Sequence, residues 1–387
     1  MKKMRFYLTD ERGMILFISL TILSVLLAAG IGIRAMLQND YRVLANLRGG
    51  TEVFYYAAAG IEWSKSEVAR TLSLPPTPAN RTVGFQSGAF SVAFISPSSH
   101  GPLAASVVVR STGSLGPSSH VVQAQLTKTY DLADAALVLR GNGKTVNLTG
   151  SPIFISGVDY DPTAGSVAPG AKPRPAISTS DEALRGLVQQ ALGNPPQDIL
   201  DGAGLGLVTS EYLSVAAMSQ FADGVCASPS AIVTGLPPSG AVVVENQTWG
   251  TPASPELRCF EGSSAGGDAL TVAGNIAGAG ILIVRNADLA LSGSFRWEGL
   301  IIVTGEDVGL MASGPADKEI NGGVIVNEVG NPGSTKAILD IQGNFRLRFS
   351  RSGLASSAGF ISTSVLQQAA SALPFVITQN YWRTVTP

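Results

Sequence analysis

The sequence predicts an α+β fold, mainly β. A long N-terminal transmembrane and stalk helix leads into a small antiparallel sheet and then a β-solenoid-like (alternatively sandwich) C-terminal domain with a helical insertion. Three observations predict it: a charge-free run from Met14 to Ile33, period-two alternation over residues 82–130, and short glycine-punctuated apolar runs recurring from residue 131 onward. The composition is consistent with this. The 387 residues exceed ordinary single-domain length, and Gly 44 with Pro 22 demands many turns. Lys+Arg total 26 against 28 for Asp+Glu, a formal charge of −2, which offers no basic footprint and argues against a nucleic-acid partner. Two histidines and two cysteines leave too little material for an imidazole relay or a four-thiolate zinc site, so no cofactor is expected.

The helix comes first. Lys2, Lys3, Arg5 and Arg12 precede the apolar run, which as a helix spans about 30 Å, one hydrocarbon core. The positive flank places Met1 in the cytoplasm and everything after Arg34 outside it. Ala28, Ala29 and Gly30 are small enough for a signal-peptidase site, but the run exceeds the apolar core of an ordinary secretory signal. Ala28 and Gly32 have the small-xxx-small spacing that lets helices approach closely. Beyond the span, Leu37, Tyr41, Leu44, Leu47, Phe54, Ala58, Ile61 and Val68 continue at helical steps as one apolar stripe, fit to pack on the chain's own sheet. The helix is expected to bend or melt at Gly49-Gly50 and to stop near Leu74, before Pro75-Pro76.

These residues resemble a family. A short basic leader ending in Gly13, followed by Met14 and a long apolar helix, resembles the class III leader of type IV prepilins. The stretch NLRGGTEVFYYAAAGIE is similar to the N-terminal signature of PilX-like minor pilins, with Asn46, Arg48, Phe54, Ala57, Ala59, Gly60 and Glu62 on its usual positions. The resemblance implies cleavage by prepilin peptidase between Gly13 and Met14, methylation of the new amine, and anchorage in the bacterial inner membrane. It further implies transfer to an extracellular pilus or a periplasmic pseudopilus, with other pilins or pseudopilins as partners through the N-terminal helix. Two departures stand out. The fifth mature position, a glutamate in most pilins, is Ile18, and the glutamate of the family's Ala-Glu-Ala-Gly is Ala58. Several PilX-like pilins and the K-type pseudopilin of type II secretion also lack the first glutamate, which argues against a major subunit.

From Thr82 to Tyr130, RTVGFQSGAFSVAFIS, LAASVVVRSTG and HVVQAQLTKTY read as three antiparallel strands covering the apolar side of the stalk. His100 and His120, each behind two serines, read as exposed turn residues, since no strand-to-helix nucleophile elbow surrounds them. The expected organisation is therefore leader 1–13, helix 14–74, sheet 80–130 and a β-rich head 131–387.

Within the head, Val146/Leu148/Gly150, Leu289/Leu291/Gly293 and Leu339/Ile341/Gly343 share one spacing, and each is followed by another short strand. Stacked coils of a solenoid account for this more directly than a sandwich, although Asn142-Gly143 could form a type I′ hairpin, which suits a sandwich. The β-rich C-terminal part of PilX-like proteins is similar over Ser156 to Asp161 and Gly280 to Gly305. Two helices are expected over residues 178–224, the first opening on the capping box Thr179 to Glu182, the second running from Ser210 to Phe221. Such insertions often decorate a binding face. Cys226 and Cys259 lie on the extracytoplasmic side of the predicted topology, where a disulfide is the expectation and two free thiols the alternative.

Catalytic signatures fail. Gly141-Asn-Gly143-Lys144-Thr145 lacks the first glycine of a phosphate loop. Asp159 and Asp161 are the weak candidates for a calcium ion or paired-carboxylate chemistry, with a capped turn before Pro162 as the plainer account. The expectation is a non-enzymatic minor pilin or pseudopilin, carried at a fibre tip and supporting assembly and adhesion. The alternative is a membrane-tethered solenoid that binds or cleaves carbohydrate.

Overall fold

The computed structural model describes residues 11–70, 79–85, 88–99, 103–141, 145–149, 152–170, 173–193, 200–201, 206–209, 214–238, 240–263, 268–330, 336–362, 364–365 and 373–385. Helix α1 runs unbroken from Glu11 to Arg70. The expected melting at Gly49-Gly50 does not occur. Arg48 Nε donates to Glu52 Oε1 at 2.9 Å and Thr51 Oγ1 to Leu47 O at 2.9 Å, bracing the turn that holds the two glycines. The expected stop near Leu74 lies outside the described residues.

The last turns of α1 lie on an antiparallel sheet ordered Arg81–Gly84, Ala89–Ser99, Ala104–Leu115, Ser118–Tyr130 and Phe375–Val385. Two strands here were not anticipated. The run expected as one strand from Arg81 folds back on itself, with Phe85 N donating to Gly88 O at 2.7 Å. The strand Phe375–Val385, assigned by sequence to the head, pairs with Ser118–Tyr130 instead. Val92, Val107, Val109, Val122, Ala124 and Leu126 project toward α1 and form a core with Ala57, Ile61 and Val68.

The remainder is built on parallel strands. From Glu256 the chain alternates between a 12-stranded and a six-stranded sheet, each strand pairing with its counterpart one circuit later: Ile276 with Phe295, Phe295 with Lys318, Lys318 with Phe345. The shared spacing seen in the sequence is a column in the smaller sheet, where Val242, Leu270, Leu289, Leu310, Leu339 and Val146 are successive register partners. The expected hairpin at Asn142-Gly143 does not form: Leu137–Arg140 and Thr145–Leu148 belong to different sheets, and the turn itself lies outside the described residues. The long strands turn a corner at Gly280, Gly299 and Gly322, register partners at positive φ; a Cβ on Gly299 would lie 2.1 Å from Gly280 O, so no other residue fits.

Beyond that corner the apolar runs Ile281–Val284 and Leu300–Val303 are buried on both faces, because helices cover the outer side. Helix α2 spans Glu182–Leu192, α3 Val215–Cys226 and α4 Arg351–Ser357. The N-cap of α2 is Asp181, which accepts from Leu184 N at 2.8 Å, rather than Thr179, which is held in a strand. The expected start at Ser210 lies outside the described residues; α3 is capped by Ser214 and runs past the expected end at Phe221. Its anchor is Asn327, whose Nδ2 donates to Val215 O at 3.1 Å and Thr304 Oγ1 at 2.9 Å. Helix α4, not anticipated, hangs on Ser357 Oγ donating to Gly280 O at 2.8 Å. Thus α3 and α4 close a face instead of decorating an open one.

Candidate assembly surface

The chain places its long helix in two environments. Buried positions Val53, Ala57, Gly60, Ile61, Ser64 and Val68 recur at three- and four-residue steps and face the sheet. The approach is close: a Cβ on Gly60 would meet Ser111 Oγ at 2.0 Å, and one on Gly113 would meet Val53 O at 2.1 Å. Two glycines, one on each element, therefore let helix and strand come nearly into backbone contact. At the helix end Lys128 is buried, with Nζ donating to Ala69 O at 3.0 Å and lying 4.5 Å from the Phe375 ring centroid. Burial pushes its pKa down to about 8, while the neighbouring Tyr130 phenol is pushed up by burial.

Every side chain from Met14 to Arg48 is exposed. Of the expected apolar stripe, Ile61 and Val68 are buried, Phe54 and Ala58 are half-buried, and Leu37, Tyr41, Leu44 and Leu47 are uncovered, because the sheet reaches only the last turns. Among the described residues, the one helix long and apolar enough to cross a membrane, by length and composition, is this one. Ile18, Ala28 and Gly32 are exposed on it, and nothing approaches within 4 Å of a Cβ placed on Gly32. The Gly13–Met14 junction lies inside the helix.

The signature residues divide accordingly. Ala57 and Gly60 are packing residues against the sheet, and the Phe54 ring sits 5.4 Å from His120 and 5.5 Å from Trp382, edge to face. Asn46, Arg48, Ala59 and Glu62 point outward, Glu62 pairing with Lys65 at 2.7 Å. His120 is thus not an exposed turn residue: it is half-buried within the strand Ser118–Tyr130, while His100 lies outside the described residues.

The structure does not unite Asp159 and Asp161 as a site. Asp159 Oδ1 accepts from Arg351 N at 2.8 Å, supporting the start of α4, and Asp161 Oδ1 accepts from Thr163 N at 2.9 Å in its own turn. No metal-binding cluster occurs among the described residues. Cys226 and Cys259 are joined, with Cα atoms 5.9 Å apart, tying α3 to the strand Glu256–Glu261. Closing 33 residues of chain stabilises by about 3–4 kcal/mol in the chain-entropy account.

Sequence reasoning missed a polar groove on the outer face of the larger parallel sheet, before its glycine corner, where Arg296 and Glu319 stand side by side. The signal was available in the alternation of FRWE and KEIN, where Arg296, Glu298 and Glu319 occupy outward positions, although the same alternation turns Lys318 inward.

No family model matches the chain, and no curated protein matches it. Among solved structures it is similar to the competence-associated pilin ComZ from Thermus thermophilus. The identity is 14%, the alignment covers 87% of this chain and 98% of that one, and the TM-score is 0.25. A superposition that loose lends no weight to a functional statement.

Proposed function

We propose that this chain is a minor pilin or pseudopilin of the PilX-like kind, a structural subunit rather than an enzyme. The observation that carries the reading is the division of α1: its last turns are packed on the chain's own sheet, whereas Met14 to Arg48 is exposed throughout and apolar over its first twenty residues. An apolar cylinder of that length has two stable surroundings, hydrocarbon and other apolar helices, and can pass from one to the other at little cost. The subunit is anchored in the inner membrane, cut by prepilin peptidase between Gly13 and Met14, methylated at Met14, and then drawn into a fibre by the same helix. Two parallel sheets wound as a β-solenoid form a head large enough to crowd a shaft, which favours a tip or low-copy position, in a type IV pilus or a type II secretion pseudopilus.

The test is the mature N-terminus. Mass spectrometry of protein from the native membrane should find a chain beginning at Met14, and Gly13→Ala should leave the leader in place. A chain beginning near Gly30 would overturn the reading. Deletion should reduce or alter pili or secretion, and normal piliation, motility and secretion together would do the same.

A further inference from the structure

The outer face of the larger parallel sheet carries a groove. Two contiguous cavities of about 540 and 370 Å³ share Thr248, Ala277, Arg296 and Glu319. Those four residues are successive register partners, Thr248 with Ala277, Ala277 with Arg296 and Arg296 with Glu319, so the groove runs across four adjacent strands. Strands lie about 4.8 Å apart, roughly the length of one pyranose ring, so the groove repeats at the pitch of a glycan chain.

Its lining fixes the class of occupant. One end presents the amides and hydroxyl of Asn246, Asn275 and Ser294; the other is flanked by the Tyr160 ring, on which Arg348 stacks at 4.3 Å. The floor is small at the exposed Ala277, leaving room for a ring, while the adjacent Gly278 faces inward onto Trp297. Asp317, Glu319 and Glu298 line the groove with the cation Arg296, 3.7 Å from Glu319, and Arg348 pairs with Glu319 at 3.0 Å from the Tyr160 side, so three carboxylates face two cations and the groove disfavours polyanions. Asn321, two residues beyond Glu319 and thus on the same face, is more than nine-tenths buried, and its amide oxygen has no hydrogen-bond partner. A buried acceptor left unpaired at the base of a groove is destabilising unless a ligand donates to it. An extended peptide would need a free sheet edge or apolar pockets for alternate side chains; the strands Ile276–Arg285, Phe295–Gly305 and Lys318–Glu328 beneath this groove are already paired on both sides, and Gln247–Trp249, paired on one side, offers only three residues of edge.

We infer that this groove binds a glycan chain free of acidic groups, with Glu319 and Asn321 accepting from sugar hydroxyls and Arg296 donating to them. This goes beyond the assembly reading and stands or falls independently of it, since binding is read on purified protein and leader processing in cells.

The full-length chain in detergent should be titrated with hexasaccharides derived from cellulose, starch, mannan and chitin, with hexagalacturonate and with hexalysine. Binding to at least one non-acidic hexasaccharide is expected. It should weaken at least tenfold in Arg296→Ala, Glu319→Gln and Ala277→Trp, the last filling the exposed floor. It should be unchanged in Arg346→Ala, which continues the same column one strand beyond the groove. Melting temperatures should confirm that each variant folds, and any two folded groove variants suffice for the comparison. Absence of binding to every non-acidic hexasaccharide, binding confined to hexagalacturonate or hexalysine, or affinities equal in wild type and folded groove variants would each overturn the assignment.

Discussion

The two halves of α1 share one backbone and differ in where their partner lies. The half from Gly49 to Arg70 alternates small and apolar residues at helical steps, and its counterpart is a sheet in the same polypeptide. The half from Met14 to Arg48 begins with apolar residues on every side, and nothing among the described residues covers it. The one-sided stripe meets an internal partner only where the sheet reaches it, from Val53 onward; the all-round apolar run before it has an external one as its natural surroundings.

Substitutions should separate the halves. The largest expected effect is Leu26→Asp, which places a charge in the exposed apolar half and should cost about 3 kcal/mol of membrane insertion. It should move protein from the carbonate-resistant membrane fraction to the soluble one without altering the melting of the rest of the molecule; equal membrane retention would break the contrast. Next, Gly113→Val should cost about 2 kcal/mol in denaturant titrations by forcing the strand from α1, whereas Gly32→Ala, with open space around it, should be neutral or stabilise by under about 1 kcal/mol.

Lys128 gives a smaller, pH-dependent effect. Its folded-state pKa, about 8, lies below the unfolded 10.5, so between those values the unfolded chain binds more protons and stability rises with pH. Tyr130, raised above its ordinary 10.0, has the opposite slope at higher pH, which leaves pH 8 to 10 as the window. A rise on the order of 1 kcal/mol is expected there in the wild type. The rise should vanish in Lys128→Met; an identical profile in both would remove Lys128 as its source. The smallest change should be Glu62→Ala, which breaks an exposed pair with Lys65 and should cost about 0.5 kcal/mol or less.

Much of the fold could be read from the sequence because its signals are local. The charge-free run, the alternation over residues 82–130 and the repeated apolar-x-apolar-x-Gly spacing each report a periodicity, and the structure turns them into a helix, strands and a column of register partners. What could not be read depends on distant sequence. Phe375–Val385 has ordinary strand composition, but its pairing with Ser118–Tyr130 joins residues more than 200 positions apart. The start of α4 depends on Asp159, a residue remote in sequence that reads locally as half of a carboxylate pair. Thr179 satisfied a capping pattern yet lost to Asp181, because its backbone was already taken by parallel pairing with Leu139 and Thr209. As for the assembly surface, its residue types were visible, but which of the signature residues serve internal packing, Ala57 and Gly60, appeared only once the sheet was in place.

At the junction of the antiparallel sheet and the parallel body, Asp131 N donates to Pro374 O at 2.8 Å, so the chain leaves and re-enters the sheet at one point on adjacent strands. Everything between is therefore an insert whose two ends already touch. A tight turn joining Tyr130 to Phe375 would convert the flanking strands into a simple hairpin and leave a five-stranded, helix-backed unit intact. The helix-facing core of Ala57, Ile61 and Val68 is separate from that of the body, so among the described residues the body meets the sheet only at its far end, where Ala105 and Tyr130 pack into the body's own core.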